Sequence, residues 1–201
     1  MNKKESSTKE ALIVSTMELL WERGYVGMSP KAILRHADVG QGSMYHHFTG
    51  KAELARDAIG RSADNLQAQA ALQLSVPGTA LAKIDAFLAR ERDILRGCQI
   101  GRLAHDPDII DTEMLRVQLA QAFEGVRRLL AAVLVDGVAK GELPVSLNPE
   151  LTAETILATL QGGYVLARAA HSDAPFRSAI GGLQAMLRAL ECGAAARATA
   201  Q

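Results

Sequence analysis

Only two cysteines, Cys98 and Cys192, occur in 201 residues, and their spacing does not make a metal cluster. A reducing compartment is therefore expected. Aromatic residues are 4% of the chain, and segments of strand-like alternation are absent, which argues against a β architecture. The longest apolar run, Leu129 to Val135, is far too short to cross a bilayer. The N-terminus has charges but no apolar stretch after them, so it does not read as a signal peptide. A soluble, cytoplasmic chain is expected, with no membrane partner. The net charge is zero, so the chain has no global attraction for a polyanion, and any such attraction must be local. Residues 1 to 61 carry nine Lys and Arg against seven Asp and Glu, with three of the five histidines, too weak an asymmetry to imply nucleic acid by itself. No nucleophile–base constellation, phosphate loop or metal set appears, so an enzyme is not expected, and neither a catalytic residue, a metal nor a cofactor is assigned.

Apolar residues, by contrast, are 48% of the chain, rich in Ala and Leu, which suits packed helices. The stretch that organises the rest runs from Ser29 to Lys51. Ser29 is a good N-cap, and Pro30 fits the first helical position. Ile33, Leu34 and Ala37 give a short helix an apolar side. Asp38-Val39-Gly40 breaks it, because Asp tolerates a left-handed turn and Gly adds freedom. A second short helix is predicted from about Gln41, with Val39, Met44 and Phe48 pointing inward. Met44 and Phe48 are four apart and share a face. The other faces then carry Gln41, Ser43, Tyr45, His46 and His47. Gln can bond bidentately to adenine, and Ser, Tyr and His suit phosphates. Gly42 lets the start of the helix lie close to a large partner. Two helices joined by a tight turn, the second one polar, make a helix-turn-helix.

Residues 8 to 59 resemble the DNA-binding domain of the TetR family of bacterial transcription regulators. The resemblance is carried by Glu22-Arg23-Gly24-Tyr25, Ser29, Ile33, Ala37, Val39 and, above all, Gly42-Ser43-Met44-Tyr45-His46-His47-Phe48 with Lys51 and Leu54. Asp38 stands where the family usually has Gly, and Gly40 where a small polar residue is common. The resemblance implies DNA contacts at Lys31, Gln41, Gly42, Ser43, Tyr45, His46, His47 and Lys51. In the family, the positions of Gln41 and Lys31 reach bases, and those of Ser43, Tyr45, His47 and Lys51 mostly hold phosphates.

The remaining chain reads as helices throughout. Ser7 and Glu10 fit a capping box, so a first helix is expected from there to Gly24, after a frayed basic arm. A helix restarts at Lys51 and runs to about Leu74, where Val76-Pro77-Gly78 ends it. Another is expected from Thr79 through Leu88 and Ile94 to Gly97. Gly97-Cys98-Gln99-Ile100-Gly101-Arg102-Leu103-Ala104 resembles the Gly-Cys-x-x-Gly-x-Leu-Ala signature of one TetR subgroup, best known for repressors of drug-efflux and detoxification genes. Asp106-Pro107 interrupts, and His105-Asp106 reads as a polar helix end. A long helix is expected from about Asp111 to Ala139, another from Asn148-Pro149 to about Ala170, and a last one from Phe176 to about Leu190, with a disordered tail from Gly193. Glu91-Arg92 and Arg127-Arg128 read as solvated faces. The last two helices interleave apolar residues with Ala158, Gly162, Gly163 and Gly182, and small residues of this kind permit pairing with a symmetry mate.

The expectation is thus an all-α chain in two domains. Residues 1–50 form the helix-turn-helix head, and residues 51–201 form a ligand-binding and dimerisation body, with 51–74 as the connecting helix. The resemblance implies a regulator, a repressor that binds a palindromic operator on double-stranded DNA as a homodimer and is released by a small apolar or amphipathic effector. Cys98, Met114, Phe123, Leu160 and Tyr164 are the candidate effector contacts. The alternative is a repressor that senses oxidants or electrophiles through Cys98.

Overall fold

The structure, a computed structural model, describes the backbone of residues 3–40 and 42–198, and the side chains of residues 7–40 and 42–190. Helices account for the architecture, and no strand occurs among the described residues. In chain order they are α1 (Lys3–Arg23), α2 (Pro30–His36), α3 (Ser43–His47), α4 (Lys51–Leu74), α5 (Ala80–Ala89), α6 (Pro107–Asp111), α7 (Glu113–Ala139), α8 (Pro149–Ala170) and α9 (Ala174–Ala198), with a 3-10 turn at Gly101–His105. Among the described residues no helix is long and apolar enough to cross a membrane.

The chain packs as two compact units. One comprises Met1–Asn65 and Gln99–Phe123, the other Leu66–Cys98 and Glu124–Gln201. The helices α4 and α7 each contribute residues to both. This division follows packing and is a different cut from the expected 50/51 boundary, which is drawn by role.

In the first unit the caps behave as the residue types require. The Ser29 hydroxyl accepts from the Ala32 N–H at 3.2 Å and starts α2. Ile33 and Leu34 are buried beneath it. Asp38 takes the left-handed conformation, φ +52°, and turns the chain toward α3. Helix α3 begins at Ser43 rather than at Gln41, and Gly42 occupies its N-cap. Met44 and Phe48 are 0% and 3% exposed, as their spacing predicts. They join Leu12, Leu19, Ile33 and Leu54 in the core of this unit.

The segment 99–123 supplies part of the same scaffold. The Asp106 carboxylate accepts from the backbone N–H of Tyr25 at 2.7 Å and of Val26 at 3.0 Å. It is buried and holds the turn that follows α1. Gly24 sits in this turn at φ +74°, where a Cβ would stand 3.0 Å from the same carboxylate, so a side chain there meets both strain and a charge. The Lys51 ammonium donates to the Tyr25 carbonyl at 2.7 Å and lies 3.9 Å from the centre of the Tyr25 ring. Arg102 donates to the Trp21 carbonyl at 2.5 Å. Asp106 stands at a helix end as expected, between the 3-10 turn and α6, and its carboxylate is also buried, serving two N–H groups, while His105 is exposed.

The second unit is built on α5, α8, α9 and parts of α4 and α7. Leu81, Ile84, Phe87 and Leu88 of α5 pack with Leu130, Leu134, Ile156 and Leu183. Asn148 caps α8 by accepting from Glu150 and Leu151 N–H, both at 3.1 Å, with Pro149 at the first position, as expected. Gly163 lets α8 approach α9, since a Cβ there would lie 3.0 Å from the Phe176 ring.

Three further boundaries differ from expectation. Helix α1 starts at Lys3, ahead of the Ser7 capping box, and α9 continues to Ala198 through the segment read as a disordered tail. Helix α5 stops at Ala89 instead of Gly97. Arg90 turns extended, and the Arg92 guanidinium donates to the carbonyls of Phe87, Leu88 and Arg90 at 2.6–2.8 Å, taking the place of further helical N–H groups. Arg92 is thus half-buried, not the solvated residue its sequence context suggests.

Two measurements check this packing. Met44→Ala is expected to cost about 2–5 kcal/mol in urea unfolding, the range for a fully buried methionine. Asp106→Ala is expected to cost about 1–3 kcal/mol, because it strands the buried Tyr25 N–H. An unchanged urea midpoint for Asp106→Ala would show that the turn holds without its carboxylate.

Candidate nucleic-acid interface

A five-residue helix forms no stable structure alone. Here α3 is held from behind by Met44 and Phe48, and its polar residues are left outward. Tyr45 is 62% exposed, a large value for an aromatic ring. His46 and Gly42 are exposed, and Ser43 and His47 are half-buried. The two imidazoles meet edge to face with centroids 4.9 Å apart, and His47 in turn leans on Phe48 at 6.5 Å. His47 is therefore positioned by an internal ring, while His46 is free to face solvent. Lys31, near the start of α2, is exposed. Gln41 lies outside the described residues.

The junction from α3 to α4 is tied by the Glu53 carboxylate, which accepts from the Thr49 N–H at 2.7 Å and from its hydroxyl at 2.8 Å. These bonds hold the Glu53 carboxyl below its usual range. Lys51 stands at the first residue of α4, but its ammonium is turned to the Tyr25 carbonyl and ring. Burial lowers its pKa, and the carboxylates of Asp108 and Asp106 oppose that shift. An ammonium has three N–H donors, so the Tyr25 carbonyl leaves others for a phosphate. Lys9 also lies in this region, 5.4 Å from the Phe48 ring centre. The surface around α3 thus offers hydroxyl, imidazole and phenol groups on a braced backbone, the chemistry of phosphate and base-edge contacts.

The candidate effector residues do not fall in one unit. Met114 and Phe123 belong to the first, where Met114 is exposed and its sulfur lies 3.9 Å from an Arg56 nitrogen. Cys98, Leu160 and Tyr164 belong to the second. Leu160 and Tyr164 are buried in its core, and Cys98 packs against that core half-buried. The Tyr164 ring lies 4.8 Å from Phe176, and burial pushes its phenol up to about 12. Beside it stands Arg92, whose pKa burial lowers to about 10. Sequence reasoning missed Asp106 and Arg92 as structural residues. The only signal in the sequence was the position of each next to a helix break, Asp106 before Pro107 and Arg92 just after the α5 stripe.

Comparison with known proteins agrees with the geometry. Residues 12–58 match the family described as bacterial regulatory proteins, tetR family, and residues 80–183 match the tetracyclin repressor-like C-terminal domain. The HTH-type transcriptional repressor DhaR of Mycobacterium sp. strain GP1 is 26% identical over 163 residues, covering 77% of this chain and 79% of that one. The HTH-type transcriptional repressor NemR of Escherichia coli is 26% identical over 189 residues, covering 90% and 94%. Among solved structures, a TetR transcriptional regulator from Chloroflexus aurantiacus superposes with a TM-score of 0.83 at 25% identity, covering 92% of this chain and 96% of that one. The reduced form of E. coli NemR superposes with a TM-score of 0.78 at 25% identity, covering 88% and 95%. With a family match over more than half of its length, and a braced helix-turn-helix at its start, the chain belongs to the TetR family and is a transcriptional regulator.

Proposed function

We propose that this regulator is a repressor that binds a palindromic operator as a homodimer and lets go when a small apolar or amphipathic effector binds its body. The observation that carries the reading is α3, buried at Met44 and Phe48 and polar where it faces out. In this reading residues 1–50 are the head and 51–201 the body, with α4 as the connecting element. Two heads of a dimer place their α3 helices in successive major grooves, roughly 34–36 Å apart. Lys31 and Gln41 reach base edges. Gly42 allows close approach, Ser43, Tyr45, His47 and Lys51 hold phosphates, and His46 is a further DNA contact. An effector shifts the balance only by its difference in affinity for the binding and released shapes. The Gly-Cys-x-x-Gly-x-Leu-Ala motif supports membership of the efflux and detoxification subgroup, and Gly97 at φ +85° gives it a backbone reason for its first glycine.

The exposed faces of α8 and α9 support the dimer. Val165, Leu166 and Met186 are 52%, 56% and 71% exposed in the protomer, an apolar surface in need of cover. Gly162 and Gly182 have no atom within 4 Å of where a Cβ would stand, so their lack of a side chain serves nothing inside the protomer. The second reading, release by oxidation at Cys98, is favoured by that thiol being half-buried rather than sealed in the core. Operator release by oxidant that persists in Cys98→Ser would discard it.

Two experiments test the main reading. Bound sequences selected from a random duplex pool are expected to yield a palindrome, and on it Tyr45→Phe is expected to weaken binding to every sequence while Gln41→Ala relaxes the preference among sequences. Band shifts unaltered by both changes would remove the assignment of α3. Gly182→Leu is expected to keep the helical circular dichroism of the parent and to sediment as a monomer. A dimer that survives this change would place the interface elsewhere.

A further inference from the structure

We infer that the effector site is a cavity between the C-terminal end of α5 and the first turns of α9, and that it takes an organic anion with an apolar tail, such as a carboxylate amphiphile. The inference rests on the regulator reading above and supplies the class of its effector.

The cavity is about 540 Å³, within the range of small-molecule sites. Leu88, Ile94, Phe176 and Ile180 form its apolar wall, and Arg90 and Arg92 its polar one. The Nε atoms of Arg90 and Arg92 are both buried without a hydrogen-bond partner. Both side chains are half-buried, and a cation partly withdrawn from water is stabilised by an anionic partner. Here the neighbouring carboxylates are engaged elsewhere. Asp173 holds Arg177 at 2.6 Å, and Asp85 holds Gln184 at 2.9 Å and Arg188 at 3.0 Å. Glu91 also lines the cavity but is exposed, and it pairs with neither arginine.

Arg92 spends its terminal nitrogens on three backbone carbonyls, which are neutral acceptors. Two cations therefore share one cavity wall, and no carboxylate among the described residues pairs with either. A carboxylate has two oxygens and accepts from arginine N–H groups with strong, directed bonds, so it supplies the counter-charge that this wall lacks. Its tail then covers Phe176 and Ile180. Phe176 stacks on Tyr164, and the Tyr164 phenol stands beside Arg92, so the occupant touches a chain of packed groups that begins at the end of α5 and reaches α8. A neutral alcohol of equal length fills the apolar wall but brings no counter-charge to either guanidinium.

Calorimetric titration of the full chain with sodium octanoate and with 1-octanol tests the site, alongside band shifts on the selected operator and sedimentation of each variant. Octanoate is expected to bind at least about tenfold more tightly than octanol, and to weaken operator binding. Arg90→Met, which removes a side chain with no hydrogen bond at its Nε, is expected to lose octanoate affinity by about tenfold or more while remaining dimeric. Arg90→Lys, which keeps a charge but not the fork, is expected to fall between the two and guards against a misfolded Met variant. Wild-type protein that does not bind octanoate, or binds octanol equally well, overturns the proposal. So does an Arg90→Met chain whose octanoate affinity is unchanged, or whose self-association changes instead, since the arginines would then serve a subunit interface. Octanoate that binds without altering operator affinity overturns the assignment as effector site. Failure to select any operator would sink the regulator reading and leave the calorimetric result standing, so the two failures are distinct.

Discussion

Met44 and Phe48 bind a helix of five residues to the core of its unit, and every role assigned to α3 depends on that attachment. A helix so short has too few internal hydrogen bonds to offset the entropy of ordering it. Burying two large side chains four residues apart supplies what the backbone does not, and it also fixes which way the helix faces. Tyr45 and His46 are outward because Met44 and Phe48 are inward. The chemistry on offer to DNA is thus a by-product of an apolar anchor.

That anchor is reinforced by polar ties of unusual reach. Asp106 closes the turn after α1, Lys51 holds the carbonyl of the same turn, and Arg102 takes the Trp21 carbonyl. All three bond to backbone, so they fix the path of the chain rather than any one side chain. The effect is to make the start of α2, and hence α3, depend on residues from the middle of the sequence. The second unit has the opposite character. Its α8 and α9 pack through small residues, and its polar oddity, two arginines without a carboxylate partner, lines a cavity.

The sequence made the helices legible where local chemistry decides. Ser29-Pro30, Asn148-Pro149 and the Met44/Phe48 pair behave as their residue types demand, and Lys51–Leu74 begins and ends where a lysine start and a Pro-Gly stop predict. Asp38 takes the left-handed turn that its side chain tolerates. What could not be read was tertiary. Nothing near Asp106 announces that its carboxylate serves Tyr25 and Val26, and nothing near Arg92 announces that it ends α5 early. The apolar spacing through Ile94 argued for a longer helix, and a side chain reaching back to three carbonyls overrode it. The same limit applies to the effector residues. Burial at Leu160 and Tyr164 follows from helical spacing, but membership of one packing unit or another does not.

The bond from Asp106 to Tyr25 spans 81 positions of sequence. A nascent chain therefore emerges with its first two helices complete in composition and still lacking the group that closes the turn between them. Only when the ribosome has added the aspartate does the amino-terminal part acquire its last brace. A peptide cut after α4 would carry every residue proposed to face DNA, yet would leave two amide hydrogens of that turn to water.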